Sequence, residues 1–148
     1  EWGLAGLMHD FDYEKYPSME EHPFRGNEIL KEKGYPESIT RAIMGHATYS
    51  GIPRDTDMAK ALFAVDELTG FIFAVTYVRP SKSIFEVKPK SVKKKLKQKS
   101  FAASVLREDI FKSIEELEVD MTEHIQFVID ALKEKADVLG LKGSIETA

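Results

Sequence analysis

Four histidines occur in this chain of 148 residues, and three of them, His9, His22 and His46, fall in its first third. His9 stands directly before Asp10 in "GLMHDFDYEKYP". A neutral imidazole nitrogen beside an anionic carboxylate oxygen is a usual ligand pairing for a divalent metal. It is equally the make-up of a general acid/base pair. A His-Asp dipeptide by itself is an ordinary surface or capping pair in most proteins, so the other residues have to decide. Asp66 sits in "FAVDELTG" with Ala64 and Val65 before it and Leu68 after. A buried, unpaired carboxylate costs several kcal/mol or changes protonation, and a metal or a histidine partner removes that cost. His46 falls on the apolar row of its own helical segment. Adjacent helical residues project about 100° apart. His9 and Asp10 therefore share one ion only if it lies over the edge between them, which suits an ion clamped between several helices. Three histidines and Asp66, each on a different element, point to one shared site.

The elements that must position these residues read as helices. Trp2, Leu4, Leu7 and Met8 recur at helical spacing, with Phe11 continuing the row. Pro17 and Ser18 punctuate a loop. Pro23 opens a second helix that stops at Gly34, and Pro36 and Glu37 open a third, with Ile39, Ala42, Ile43 and His46 on its apolar row. A long helix is expected over 57–78, a short basic segment follows over 82–101, and two amphipathic helices over 107–119 and 121–140 close the chain. No alternating strand pattern of useful length occurs. The expected class is all-α, a bundle of about six or seven helices forming one domain over residues 1–148.

Composition narrows the chemistry. The chain has 43% apolar and 31% charged residues and a formal net charge of −4, which permits a normal core and argues against a chain-wide nucleic-acid footprint. With no cysteine, disulfides, zinc-thiolate sites and cysteine nucleophiles are excluded, and any metal must be held by His, Asp and Glu. No apolar run approaches a membrane span and no signal peptide is visible, so a cytoplasmic protein without a membrane partner is expected. The opening "EWGLAGLMHD" has no starting Met and begins inside an apolar-periodic segment.

Four stretches in order, "GLMHDFDYEKYP", "EEHPFRGNEIL", "AIMGHATYSGIPRDT" and "ALFAVDELTGFIFAVTYVRPSK", resemble the HD-domain metal-dependent phosphohydrolases, and in particular the small HDIG-type hydrolases. The likeness spans about residues 3–110. It implies an all-helical HD-domain-like bundle in which a histidine, an HD pair and a distal aspartate hold a divalent metal. His9 and Asp10 match the HD pair, Asp66 the distal aspartate, and His22 and His46 the two further histidines of binuclear members. The family's first histidine lies on a helix upstream of the HD pair, so the chain is expected to lack that N-terminal helix and ligand. Exposed apolar surface left by such a loss would favour a homo-oligomer. His124 is the remaining histidine and is expected to be structural.

The resemblance implies hydrolysis of a phosphate ester, in a nucleotide or a small phosphorylated metabolite, by metal-activated water. Asp10, with two carboxylate oxygens, is the expected bridging ligand, His9 and Asp66 holding one ion and His22 with His46 the other. Ligands without sulfur suit Mn, Fe, Mg, Ni or Co, as one or two ions. Arg25, three residues after His22, is the expected cation for the substrate phosphate, and Arg79 and Lys82 are further candidates. Seven lysines between Lys88 and Lys99 read as a solvated face, since the aromatics needed for base stacking are absent. The rival reading is a helical binding module with the HD fold and no chemistry.

Overall fold

A computed structural model of the chain describes residues 1–144, so the last four residues of the expected 1–148 domain lie outside the described residues. The all-α class is what forms. Seven α-helices are described: α1 (Trp2–Met8), α2 (Phe24–Glu32), α3 (Glu37–His46), α4 (Asp57–Tyr77), α5 (Pro89–Leu96), α6 (Arg107–Leu117) and α7 (Met121–Glu134). Two 3-10 turns, Thr48–Ser50 and Ile84–Glu86, join them, and no strand occurs among the described residues. None of these helices is long and apolar enough to cross a membrane. Length alone suggests one domain, but the chain packs as two compact units, Glu1–Ala64 and Val65 onward, with the boundary inside α4.

In the first unit α1 and α2 both pack on α3. Gly34, at φ +79°, stops α2 in the left-handed conformation that glycine adopts without a Cβ penalty. Pro36 enters α3 from an extended conformation, and Glu37 places a carboxylate in its first turn, where the helix dipole favours it. Ile39, Ala42, Ile43 and His46 are all buried, as the spacing predicts. The core gathers Ala5, Leu30, Ile39, Ala42, Ile43, Met58, Ala59 and Leu62.

The row expected on α1 does not face this core. Trp2, Leu4, Leu7 and Phe11 are exposed, Leu7 by 79%, while Ala5 is buried and Met8 half-buried. The small Ala5 lets α1 lean closely on α3, and that contact turns the larger side chains outward. The helix ends at Met8, so Phe11 no longer shares its phase.

In the second unit Leu68, Phe71, Ile72 and Val75 present the i, i+3, i+4, i+7 face of α4 to the core. Val92 and Leu96 from α5, Ile110 and Ile114 from α6, and Ile125, Val128, Ile129 and Leu132 from α7 complete it. Lys90, Lys93, Lys94 and Lys97 stay exposed on the outer side of α5. Arg107, at the start of α6, donates to the carbonyls of Leu96 (3.0 Å), Gln98 (2.9 Å), Ala102 (3.2 Å), Val105 (3.5 Å) and Phe101, tying the irregular segment between α5 and α6 to one guanidinium. Asp120 caps α7 by accepting from the Thr122 and Glu123 amides. The last helix ends at Glu134 rather than continuing to Gly140. The chain turns there, with the Leu141 amide donating to Ala136 O at 2.8 Å, and Leu141 enters the core at 0% exposure. Burying that leucine outweighs another turn of helix.

Candidate metal centre

Two helix ends in the first unit carry imidazoles in the same way. The last turn of a helix leaves carbonyls without intrahelical partners. His9, just past α1, donates its Nδ1–H to Gly6 O at 2.8 Å. His46, the last residue of α3, donates its Nδ1–H to Ile43 O. Each ring is thereby fixed by a carbonyl three residues back, which makes Nε2 the lone-pair nitrogen of the neutral ring. His22, in the turn before α2, reaches the same state by another route. Its Nδ1–H donates to Asp12 Oδ1 at 2.7 Å, and the other oxygen of Asp12 accepts the Gly26 amide at 2.8 Å. Both His22 and Asp12 are buried. An ideal Cβ on Gly26 would lie 2.6 Å from Asp12 Cγ, so the absence of a side chain at that position is what admits the carboxylate.

The three Nε2 atoms converge on Asp10. His22 Nε2 lies 3.2 Å and His46 Nε2 3.3 Å from Asp10 Oδ1, and the two nitrogens are 3.3 Å apart. His9 Nε2 approaches the other oxygen, Oδ2, at 3.3 Å. Two aromatic rings flank the cluster. The Tyr13 ring stands edge-on to His22 with centroids 5.2 Å apart, and the Tyr49 hydroxyl donates to His22 O at 2.7 Å. Burial, followed by the charges of Asp10 and Asp12, pushes the Tyr49 phenol up.

Asp10, His22 and His46 form a group able to hold a metal ion, with ligand atoms within 4.8 Å of one another. The fit goes beyond proximity. Two imidazole lone pairs and a carboxylate oxygen facing one point repel one another unless a cation lies between them. Donors bound at about 2.1 Å around one ion are spaced about 3.0–3.4 Å apart in octahedral or tetrahedral geometry, and the three spacings here, 3.2, 3.3 and 3.3 Å, lie in that range. The outer nitrogens bonded to a carboxylate and to backbone carbonyls match the support that metal-ligating histidines almost always have.

Of the residues expected at the site, His9, Asp10, His22 and His46 come together within the first unit. Asp66 is half-buried on the part of α4 that belongs to the second unit. Arg25 is exposed, its guanidinium paired with Glu28 at 3.1 Å. Arg79, whose Nε lies 3.6 Å from Glu86, and the exposed Lys82 belong to the second unit. His124 is buried in α7. Asp12 is the site residue that sequence reasoning missed. Its signal was present in the "HDFD" spacing, which repeats a carboxylate two residues after Asp10.

Comparison with protein-family models, with curated proteins and with solved structures finds no match to this chain.

Proposed function

We propose that the chain is a metal-dependent phosphohydrolase of HD-domain type, cytoplasmic, acting on a phosphate ester of a nucleotide or of a small phosphorylated metabolite. The observation that carries this reading is the meeting of His22 Nε2, His46 Nε2 and Asp10 Oδ1 with each ring's Nδ1 bonded to another acceptor. The motif resemblance in the sequence supplies the reaction class. A bound divalent ion, Mn, Fe, Mg, Ni or Co, supplies hydroxide near neutral pH and neutralises charge on phosphate oxygens.

The chain's own residues do the rest. Asp10 turns one oxygen to the His22–His46 pair and the other to His9, the arrangement a bridging carboxylate needs for two ions. Asp12 holds the His22 ring in its tautomer, and the Ile43 carbonyl does the same for His46. Arg25, exposed in the first turn of α2 three residues after His22, is the proposed cation for the substrate phosphate, which would replace Glu28 as its partner. The resemblance assigns Asp66 to the ligand set. The exposed Trp2, Leu4 and Leu7 support a homo-oligomer, which sedimentation at several protein concentrations tests.

Elemental analysis of the purified protein, paired with hydrolysis of a chromogenic phosphomonoester and of nucleotides, tests the enzyme reading. One or two equivalents of Mn, Fe, Ni or Co with turnover are expected, and Asp10→Ala is expected to abolish both. Metal retained without hydrolysis of any phosphate ester would replace the enzyme with the binding module. An Asp10→Ala protein that keeps metal and turnover removes Asp10 from the ligand set.

A further inference from the structure

The second unit holds an opening that the metal cluster does not use. The segment from Arg79 to Arg107 carries ten Lys and Arg residues and one acid, Glu86, in a chain whose formal net charge is −4. Beside α5 this charge borders a hollow of about 350 Å³. Val75, Val78 and Pro80 give it an apolar wall, and Arg79, Lys94 and Lys95 give it cations. The volume lies in the range of small-molecule sites, about 300–1,000 Å³.

The cations are not fully occupied. The Nε of Arg79 is shielded from water and has no hydrogen-bond partner, Glu86 lying 3.6 Å away and so beyond hydrogen-bond length. A buried donor left unpaired is costly, and a ligand acceptor would satisfy it. Lys95 is held in place, its Nζ 3.2 Å from Gln98 Oε1 and 4.7 Å from the centroid of the Phe101 ring. Lys94 is exposed one residue before it, and no Asp or Glu occurs between Val87 and Arg107. A second opening, on the other side of α5, is larger, at about 580 Å³, but is less suited to an anion. There Lys93 is bonded to Thr122, Arg107 is engaged by backbone carbonyls, and Glu108 adds negative charge beside Lys97 and Lys99.

We propose that the hollow between the end of α4 and the Lys94–Lys95 side of α5 is a binding site for a small organic phosphate, its anionic group on Arg79, Lys94 and Lys95 and its apolar body on Val75, Val78 and Pro80. An apolar wall beside clustered cations selects an anion with an apolar body over inorganic phosphate. The proposal stands apart from the metal reading, since none of the residues lining the hollow belongs to the ligand set.

Residue-resolved NMR titration of the full chain with phenyl phosphate, and separately with inorganic phosphate, tests it. Expected are shifts concentrated at residues 75–98 and tighter binding of phenyl phosphate than of inorganic phosphate. Lys94→Gln should weaken phenyl phosphate about tenfold, the effect of one charge-assisted hydrogen bond. Lys90→Gln removes the same charge from α5 outside the hollow and should leave binding unchanged. Equal weakening by Lys90→Gln and Lys94→Gln would show a diffuse basic field and overturn the proposal. Equal affinity for the two phosphates, or binding of an oligonucleotide with none of phenyl phosphate, would overturn it as well.

Discussion

The two units place different residues out of water. Among the described residues, sixteen buried apolar residues cluster in the second unit and eight in the first. The first unit also buries Asp12, His22 and His46, whereas among the described residues of the second the buried ionisable side chain is His124. Apolar packing is non-directional and tolerates loss at one point in proportion to the atoms removed. A buried polar cluster is stable only when each donor and acceptor is matched, so one deletion leaves several groups unpaired. The comparison teaches that the same loss of stability has different causes in the two units, and that only in the first should it travel with metal binding.

The largest effect is expected at Asp12. Asp12→Ala leaves the buried His22 Nδ1–H and the Gly26 amide without acceptors. A loss of about 3–5 kcal/mol is expected in urea unfolding, the range for breaking a buried pair. The milder Asp12→Asn should fold and lower metal affinity by about 10–100-fold, as changes behind a metal-ligating histidine do. Asp12→Asn with undiminished affinity, measured by chelator competition, would separate the polar cluster from the metal.

In the second unit Phe71, at 0% exposure, is the matching test. Phe71→Ala removes a large buried ring, which also stands edge-on to Phe101, and should cost about 3–5 kcal/mol. Metal content per folded chain should not change. A Phe71→Ala protein that folds but loses metal would erase the distinction between the units.

Much of the all-α fold was legible in the sequence, and the exceptions have physical causes. Apolar spacing on α3 is dense enough that periodicity alone places Ile39, Ala42 and Ile43 inward. Glycine and proline mark the start of α3 and the end of α2 because their backbone limits are local. On α1 the periodicity misleads, because a small residue, Ala5, makes the contact and three large apolar side chains, Trp2, Leu4 and Leu7, remain outside. The end of α7 was hidden because the burial of Leu141, a contact distant along the chain, decides it. His9, Asp10, His22 and His46 were readable as ligand types, and the structure gathers them. Asp12 was not, because a carboxylate that orients a ligand has no spacing rule of its own. Only the Gly26 approach and the His22 bond reveal it.

Gly26 refines the contrast at smaller amplitude. In Gly26→Ala the new methyl meets the Asp12 carboxylate, at 2.6 Å from Cγ before relaxation. Alanine favours the helix of α2, so the net change combines a propensity gain of about 1 kcal/mol with an overpacking cost of about 1–3 kcal/mol. A modest loss of stability is expected, together with weaker metal binding as Asp12 shifts from His22. If stability rises and affinity holds, Asp12 has room to move and its position is less constrained than the geometry implies.

The smallest effect is expected from a bond of ideal form in the wrong place. Arg41 donates to both oxygens of Asp55, Nε to Oδ1 at 3.1 Å and Nη2 to Oδ2 at 2.8 Å, and both side chains lie at the surface of the first unit. This hydrogen bond holds the Asp55 carboxyl below its usual range and the Arg41 guanidinium above its own. A carboxyl depressed in the folded state contributes stability above its unfolded pKa and loses it as pH falls through the folded one. Any gap between the wild type and Arg41→Ala should therefore be present at neutral pH, close on acidification, and shrink with added salt. Water and ions screen both partners, so the gap at physiological salt should lie within the error of a melting experiment. A drop as large as that of Asp12→Ala, and insensitive to salt, would mean that surface pairing rather than buried polar matching governs the first unit.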